Sequence, residues 1–193
     1  EKCSKFCIPA IPKLKLTRGA PSRVVNNVTE QNRKDQDPEV LRILCVGRIH
    51  PRKGQLLLLQ AASVLPAEIQ SNIQFIFVGP IKDKRYHQEV LSLSHKFSGK
   101  IQFKGDISET KLSAYYSSSH IFGLTPITLK DSVEGFGFVY LEASAYGLPI
   151  IATRVGGVED AVLDGKTGLL SNPQNVDDLS RNLIKLTESK KLR

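Results

Sequence analysis

Residues 42–80 read RILCVGRIHPRKGQLLLLQAASVLPAEIQSNIQFIFVGP, and this stretch decides the fold. Its first run, RILCVGRI, is short, nearly all apolar and broken by a glycine, as a strand buried on both faces would be. KGQLLLLQAASVLPAEI, residues 53–69, then reads as one helix. NIQFIFVGP, residues 72–80, is a second strand, again closed by glycine. Parallel neighbours need a crossover of a dozen or more residues, so strand, helix and strand in this order form the unit of a parallel sheet.

The alternation continues toward the C-terminus. Residues 84–98 read as a helix with Tyr86, Val90, Leu93 and Phe97 near helical spacing. KIQFKGD (100–106) is the third strand, SETKLSAYYSSS (108–119) a helix with Ser108 as N-cap, and HIFGLTP (120–126) the fourth strand. A helix near 137–146, the strand PIIATRV (149–155), a short helix in GVEDAVLDG (157–165) and the strand TGLLSN (167–172) follow. The last helix is expected from Val176 to about Leu192, capped by Asn175. The expected class is α/β: a parallel sheet of about six strands over residues 41–193, with helices on both faces. Residues 1–40, with prolines at 9, 12, 21 and 38 and the polar run NRKDQDPE, read as an irregular connector or capping segment. SRVVNNV is a candidate short strand within it.

A chain of 193 residues can bury one good-sized core. No apolar run approaches the roughly 18 residues that span a bilayer, and the first residues lack the apolar centre of a signal peptide. The sequence holds no methionine, which points to a chain that starts within a longer protein, was processed or was excised as a fragment. The net charge of +8 favours anionic partners and leaves membrane-surface association as an expectation. Aromatic residues do not alternate with the cations as a nucleic-acid groove requires, so no nucleic-acid partner is expected. Three cysteines make no disulfide framework. Cys45 falls in an apolar strand, and Cys3 and Cys7 lack two further zinc ligands nearby. A reducing, cytoplasmic setting fits this usage.

In an open parallel sheet, ligands bind outside the carboxyl ends of the strands. Those ends hold Gly47-Arg48, Gly79-Pro80, Gly105-Asp106, Thr125 through Gly137, and Arg154 to Gly157. In VGRIHPRKG, Arg48 leaves the first strand and Lys53 opens the next helix, a sensible clamp for a diphosphate. The bland alternative is a solvated turn of Arg48, Arg52 and Lys53. Neither a G-x-x-x-x-G-K-[ST] loop nor a G-x-G-x-x-G loop follows the first strand, which excludes a P-loop NTPase and an ordinary nicotinamide binder. In EGFGFVYLEASAYG, Gly135 and Gly137 precede a helix, and their backbone can wrap an anion or a sugar. Phe136 between them is a wall or a core plug. Glu134 belongs to the mouth of the cleft. Glu142 stands four residues after Phe138 on a largely apolar helix. It is either the wet side of that helix or a carboxylate awaiting paired hydroxyls.

EGFGFVYLEASAYGLPIIAT resembles the E-x7-E motif of the family-four retaining glycosyltransferases. VGRIHPRKG, FVGP, FKGDISETKLSAYYSSS and RVGGVEDAVLDGKTGLL extend the likeness in order over about residues 40 to 190. The resemblance implies the carboxyl-terminal, Rossmann-like half of a GT-B enzyme, which binds a nucleoside-diphosphate sugar, UDP- or GDP-linked. It implies that Arg48 and Lys53 hold the diphosphate, and that Glu134 touches the sugar at its reacting face. By the same likeness Gly135, Phe136 and Gly137 cover sugar and phosphate, and Glu142 binds the ribose hydroxyls. Gly47 and Gly79 line the donor site, and Gly105 to Ile107 flank the base. The catalytic set would thus be Glu134, Arg48 and Lys53, with no metal and no cofactor. The upstream acceptor-binding domain would be missing, so the chain would be inactive alone. The family's early Asn-Gly is replaced by Asn26-Asn27, and Lys130 and Asp131, close to the cleft, read as loop filler or as residues that tune the sugar pocket. His50 reads as an exposed loop residue, and His87, His95 and His120 as structural or surface residues. A non-catalytic nucleotide-sugar binding module and a sugar-nucleotide epimerase of the same fold are the alternatives.

Overall fold

The structure, a computed structural model, describes residues 40–129, 135, 137–190 and 193. Its core is a six-stranded parallel sheet: β1 (Leu41–Val46), β2 (Ile73–Val78), β3 (Lys100–Phe103), β4 (Ile121–Leu124), β5 (Ile150–Thr153) and β6 (Gly168–Ser171). The spatial order is β3-β2-β1-β4-β5-β6. The chain therefore winds outward from β1 in one direction, returns, and winds outward from β4 in the other. Between β1 and β4 the connections diverge, and at such a reversal an open sheet leaves a crevice at its carboxyl edge. Every strand read between residues 41 and 193 is present, and the α/β class and the expected six strands are as read.

The helices are α1 (Gln55–Ser63), α2 (Ala67–Ser71), α3 (Lys84–Ser94), α4 (Glu109–Ser118), α5 (Phe138–Ala145), α6 (Val158–Ala161) and α7 (Val176–Glu188). Two neighbouring residues of β4 show that both faces are covered. Phe122 stacks on Tyr116 of α4, ring centroids 6.1 Å apart, and meets Tyr140 of α5 edge-on at 5.8 Å. Gly123 points the other way, where a Cβ would stand 2.9 Å from Leu58 Cδ2 of α1. Successive side chains of a strand face opposite sides, so α4 and α5 cover one face and α1 the other. On the α3 side, Phe75 and Phe77 stack at 5.7 Å and continue to Phe97 and Phe103.

Caps set the helix starts. Asp83 accepts from the Tyr86 N–H (2.9 Å), Ser108 from Lys111 (3.5 Å) and Asn175 from Asp178 (2.9 Å). Each such cap stabilises its helix by about 1 kcal/mol. Three sequence boundaries need correction. The expected helix 53–69 is broken: a 3-10 turn (Pro51–Lys53) precedes α1, and Pro66 separates α1 from α2. Pro66 lacks an N–H and clashes with the preceding turn, so α1 cannot run through it. The helix at 84–98 ends at Ser94, leaving Phe97 beyond it but still buried. The last helix ends at Glu188 rather than near Leu192, and the Arg193 guanidinium donates to the carbonyls of Leu186 and Thr187 at its end. The readings of residues 1–39 fall outside the described residues.

Candidate functional site

At the carboxyl edge, the ends of β1, β2 and β3 form one hydrogen-bonded row. The Gly47 N–H donates to the Val78 carbonyl and the Gly79 N–H to the Gly105 carbonyl, both at 2.8 Å. A Cβ on Gly79 would lie 2.3 Å from the Gly47 carbonyl oxygen. Only glycine lets the two backbones approach so closely. Gly47, Gly79 and Gly105, which the sequence placed at separate strand ends, are thus neighbours. Ile107, just past Gly105, is half-buried against the core.

Arg48 and Lys53 flank the same row. Arg48 is exposed, and its carbonyl accepts from the buried Gln55 amide at 2.9 Å. The Lys53 stem lies over Gly47, where a Cβ would be 3.6 Å from Lys53 Cδ. Between them the 3-10 turn is capped by His50, whose Nδ1 accepts from the Arg52 N–H at 3.2 Å. His50 is therefore a half-buried cap, not the exposed loop residue of the sequence reading. Burial pushes the neighbouring Cys45 thiol up to about 12, with the Lys53 ammonium pulling the other way. That thiol is a neutral packing group, not a nucleophile.

The basic turn is stitched across the crevice to β4. Thr125 Oγ1 donates to the Gly54 carbonyl at 2.8 Å, and the Ile127 N–H to the Arg52 carbonyl at 3.0 Å. Gly54 holds φ +69°, and a Cβ there would be 1.7 Å from the Thr125 carbonyl oxygen. Thr153 of β5 donates in turn to the Pro126 carbonyl.

On the far side of β4, Gly137 (φ 72°) starts α5. The Tyr140 ring fills the space beside Gly137, 2.6 Å from where a Cβ would be, and the Tyr140 hydroxyl donates to the Leu124 carbonyl at 3.1 Å. The helix start is thereby fixed to the end of β4. Gly135 is exposed, and among the described residues nothing lies within 4 Å of a Cβ there. Glu142 is exposed on the second turn of α5, and its Oε2 accepts from the Tyr116 hydroxyl at 2.9 Å. The exposure of Glu142 is that of the wet side of the helix, and its carboxylate also has one buried partner in the Tyr116 hydroxyl. Glu134 and Phe136, with Lys130 and Asp131, lie outside the described residues.

Three contributors escaped the sequence reading: Gly54, Tyr116 and Tyr140. Gly54 closes a basic turn just before a helix and could have been suspected on that ground. The tyrosines carry no local signal. Two cavities open at the opposite, amino edge of the sheet. One of about 780 Å3 is lined by Leu41, Asn72 and His120 among others, and one of about 370 Å3 by Gly147, Thr167 and Gly168 among others. None of the described residues picked out for donor binding lines either. His120 there is structural, its Nδ1 accepting from the Arg42 N–H at 3.0 Å. Among the described residues, no cluster of three His, Cys, Asp or Glu could hold a metal, and no helix is long and apolar enough to cross a membrane.

The sheet order and the glycine row define a doubly wound, Rossmann-like domain with its crevice between β1 and β4. The family described as "Glycosyl transferases group 1" matches residues 26–193, and the chain belongs to it. It is 32% identical over 144 residues to a GDP-mannose-dependent alpha-(1-6)-phosphatidylinositol monomannoside mannosyltransferase of Mycolicibacterium smegmatis, covering 72% of this chain and 36% of that protein. The fold is shared with HepE of Anabaena in complex with UDP-glucose, at TM-score 0.71 and 20% identity over 90% of this chain and 45% of that one. It is shared also with the C-terminal domain of the group 1 glycosyl transferase LpcC of Francisella tularensis, at TM-score 0.70 and 23% identity, covering 85% of this chain and 84% of that one. The GT-B architecture expected from the sequence is thus the architecture of its structural neighbours. The chain spans between 28% and 42% of the length of the curated relatives it matches.

Proposed function

We propose that this chain is the donor-binding part of a glycosyltransferase that moves a sugar from a nucleoside diphosphate to an acceptor with retention of configuration. One observation carries the reading: in a group 1 chain, the Arg48–Lys53 turn and the start of α5 are both fastened to the end of β4, on either side of the sheet's reversal point. A diphosphate lying across that crevice would meet cations from one side and a helix N-terminus from the other. When the sugar–phosphate bond breaks, the electron pair leaves on the diphosphate, and charge placed in advance stabilises it as it grows. Arg48 and Lys53 supply that charge. Glu142 takes the ribose hydroxyls, Gly105 to Ile107 flank the base, and Glu134 meets the sugar. A carboxylate that accepts paired hydroxyl hydrogen bonds suits the ribose.

The donor class has support from two sides: one relative is described as GDP-mannose-dependent, and one structural neighbour is described with UDP-glucose. The reaction in this reading needs no metal. It runs in the cytoplasm, where a lone thiol such as Cys45 stays reduced. The charge of +8 draws the chain toward acidic headgroups. The acceptor site belongs to a further domain upstream.

The test is to join residues 1–193 to the natural upstream segment and assay transfer from UDP- and GDP-sugars. Binding by the chain alone, with transfer only in the joined form, is the expected result. Failure of both forms to bind any nucleoside diphosphate would refute the reading.

A further inference from the structure

We infer that Tyr116 is a positioning residue for Glu142, aiming its carboxylate at the ribose; this rests on the proposed donor reading. Tyr116 sits on α4, is 2% exposed, and sends its hydroxyl to Glu142 Oε2 at 2.9 Å across to α5. Among the described residues nothing else bonds to the Glu142 side chain.

The tyrosine is itself locked. Its ring stacks on Tyr146 with centroids 5.1 Å apart and planes 12° apart, and on Phe122 of β4 at 6.1 Å. The Tyr146 hydroxyl and Ser113 Oγ hydrogen-bond at 2.8 Å, tying the end of α5 back to α4. Phe122 then meets Tyr140 edge-on, beneath the Gly137 helix start. Four rings thus join α4, β4 and α5 in one column, and from it the Tyr116 hydroxyl reaches the Glu142 carboxylate.

A glutamate on an exposed helix turn has several rotamers, and ordering it on ligand binding costs conformational entropy. A buried hydroxyl that already holds one carboxylate oxygen removes part of that cost before the ligand arrives. The carboxylate keeps acceptor capacity for a vicinal diol. Burial first, and the Glu142 charge second, push the Tyr116 hydroxyl well up, so it remains a donor at any working pH.

The role separates from plain packing by ligand choice. Tyr116→Phe keeps the ring and removes only the hydroxyl. Binding of UDP and GDP, and of their 2′,3′-dideoxy analogues, is measured by calorimetry on the 193-residue chain and its variant. The expected result is a loss of about fivefold for the ribonucleotides, the scale of one hydrogen bond to a charged group weakened but not abolished, with the dideoxy analogues unchanged. A Glu142→Ala chain should show no further loss on adding Tyr116→Phe. Equal losses for ribo and dideoxy ligands, or undiminished loss without Glu142, would make Tyr116 a packing residue and overturn the inference. A wild-type chain that binds neither ribonucleotide would overturn the donor reading itself. Tyr116→Phe melting as wild type while losing the ribose preference is the clearest support.

Discussion

Alanine at position 54 would put a methyl group 1.7 Å from the Thr125 carbonyl oxygen. Contact distances begin near ~3.5 Å, so the basic turn must retreat from β4 or the backbone must distort. Three costs follow. The residue holds φ +69°, which costs a side-chain-bearing residue ~1–2 kcal/mol. Retreat breaks the bonds from Thr125 Oγ1 to Gly54 and from Ile127 to Arg52. Each is worth about 0.5–1.5 kcal/mol net, so the sum is about 2–5 kcal/mol. Gly105→Ala is the matched control, because Gly105 also has positive φ (+62°) but none of the described residues lies within 4 Å of a Cβ. Urea denaturation of both variants should show Gly54→Ala about 1–3 kcal/mol less stable than Gly105→Ala. Equal midpoints would refute the claim that the turn is clamped to β4 at this point. Because the turn carries Arg48 and Lys53, Gly54→Ala should also weaken UDP and GDP binding more than Gly105→Ala does.

Arg48→Ala should weaken UDP and GDP about tenfold or more while leaving uridine and guanosine unaffected, as loss of a charge-assisted phosphate contact requires; calorimetry on the four ligands checks this. Phe122→Ala removes the middle ring of the column joining α4, β4 and α5 and should cost about 3–5 kcal/mol in urea denaturation. Burial raises the Cys45 thiol from 9.0 to about 12, so the folded chain keeps a proton that the unfolded chain has lost. The resulting stability is whole below pH 9.0 and is lost as pH climbs toward 12. Cys45→Ala should flatten that part of the stability–pH curve, and an equally steep fall in both proteins would contradict the burial of the thiol.

Legibility followed range along the chain. The strands were readable because a strand buried on both faces is an apolar run, and each carboxyl end carries residues that let the backbone turn. Gly47, Gly79 and Gly105 could be named one by one, but their meeting in one row follows from the order β3-β2-β1, which no local pattern shows. The same holds for Tyr116 and Glu142, 26 residues apart in sequence and in contact only because α4 and α5 share a face of β4. Pro66 marks a helix break in the sequence, since proline lacks the N–H that would continue the turn, although apolar residues continue beyond it. By sequence His50 is a lone loop histidine, yet a side chain just before Pro51 is well placed to cap a turn.

The most direct test of a donor cradle on the carboxyl edge is an amide NMR titration of the 15N-labelled chain with UDP-glucose and GDP-mannose. The account predicts that at least one ligand shifts the resonances of Gly47, Lys53, Gly79, Gly105, Ile107 and Glu142 as a group. Shifts confined to the amino edge, around Leu41, Asn72, Gly147 and Arg193, would contradict it.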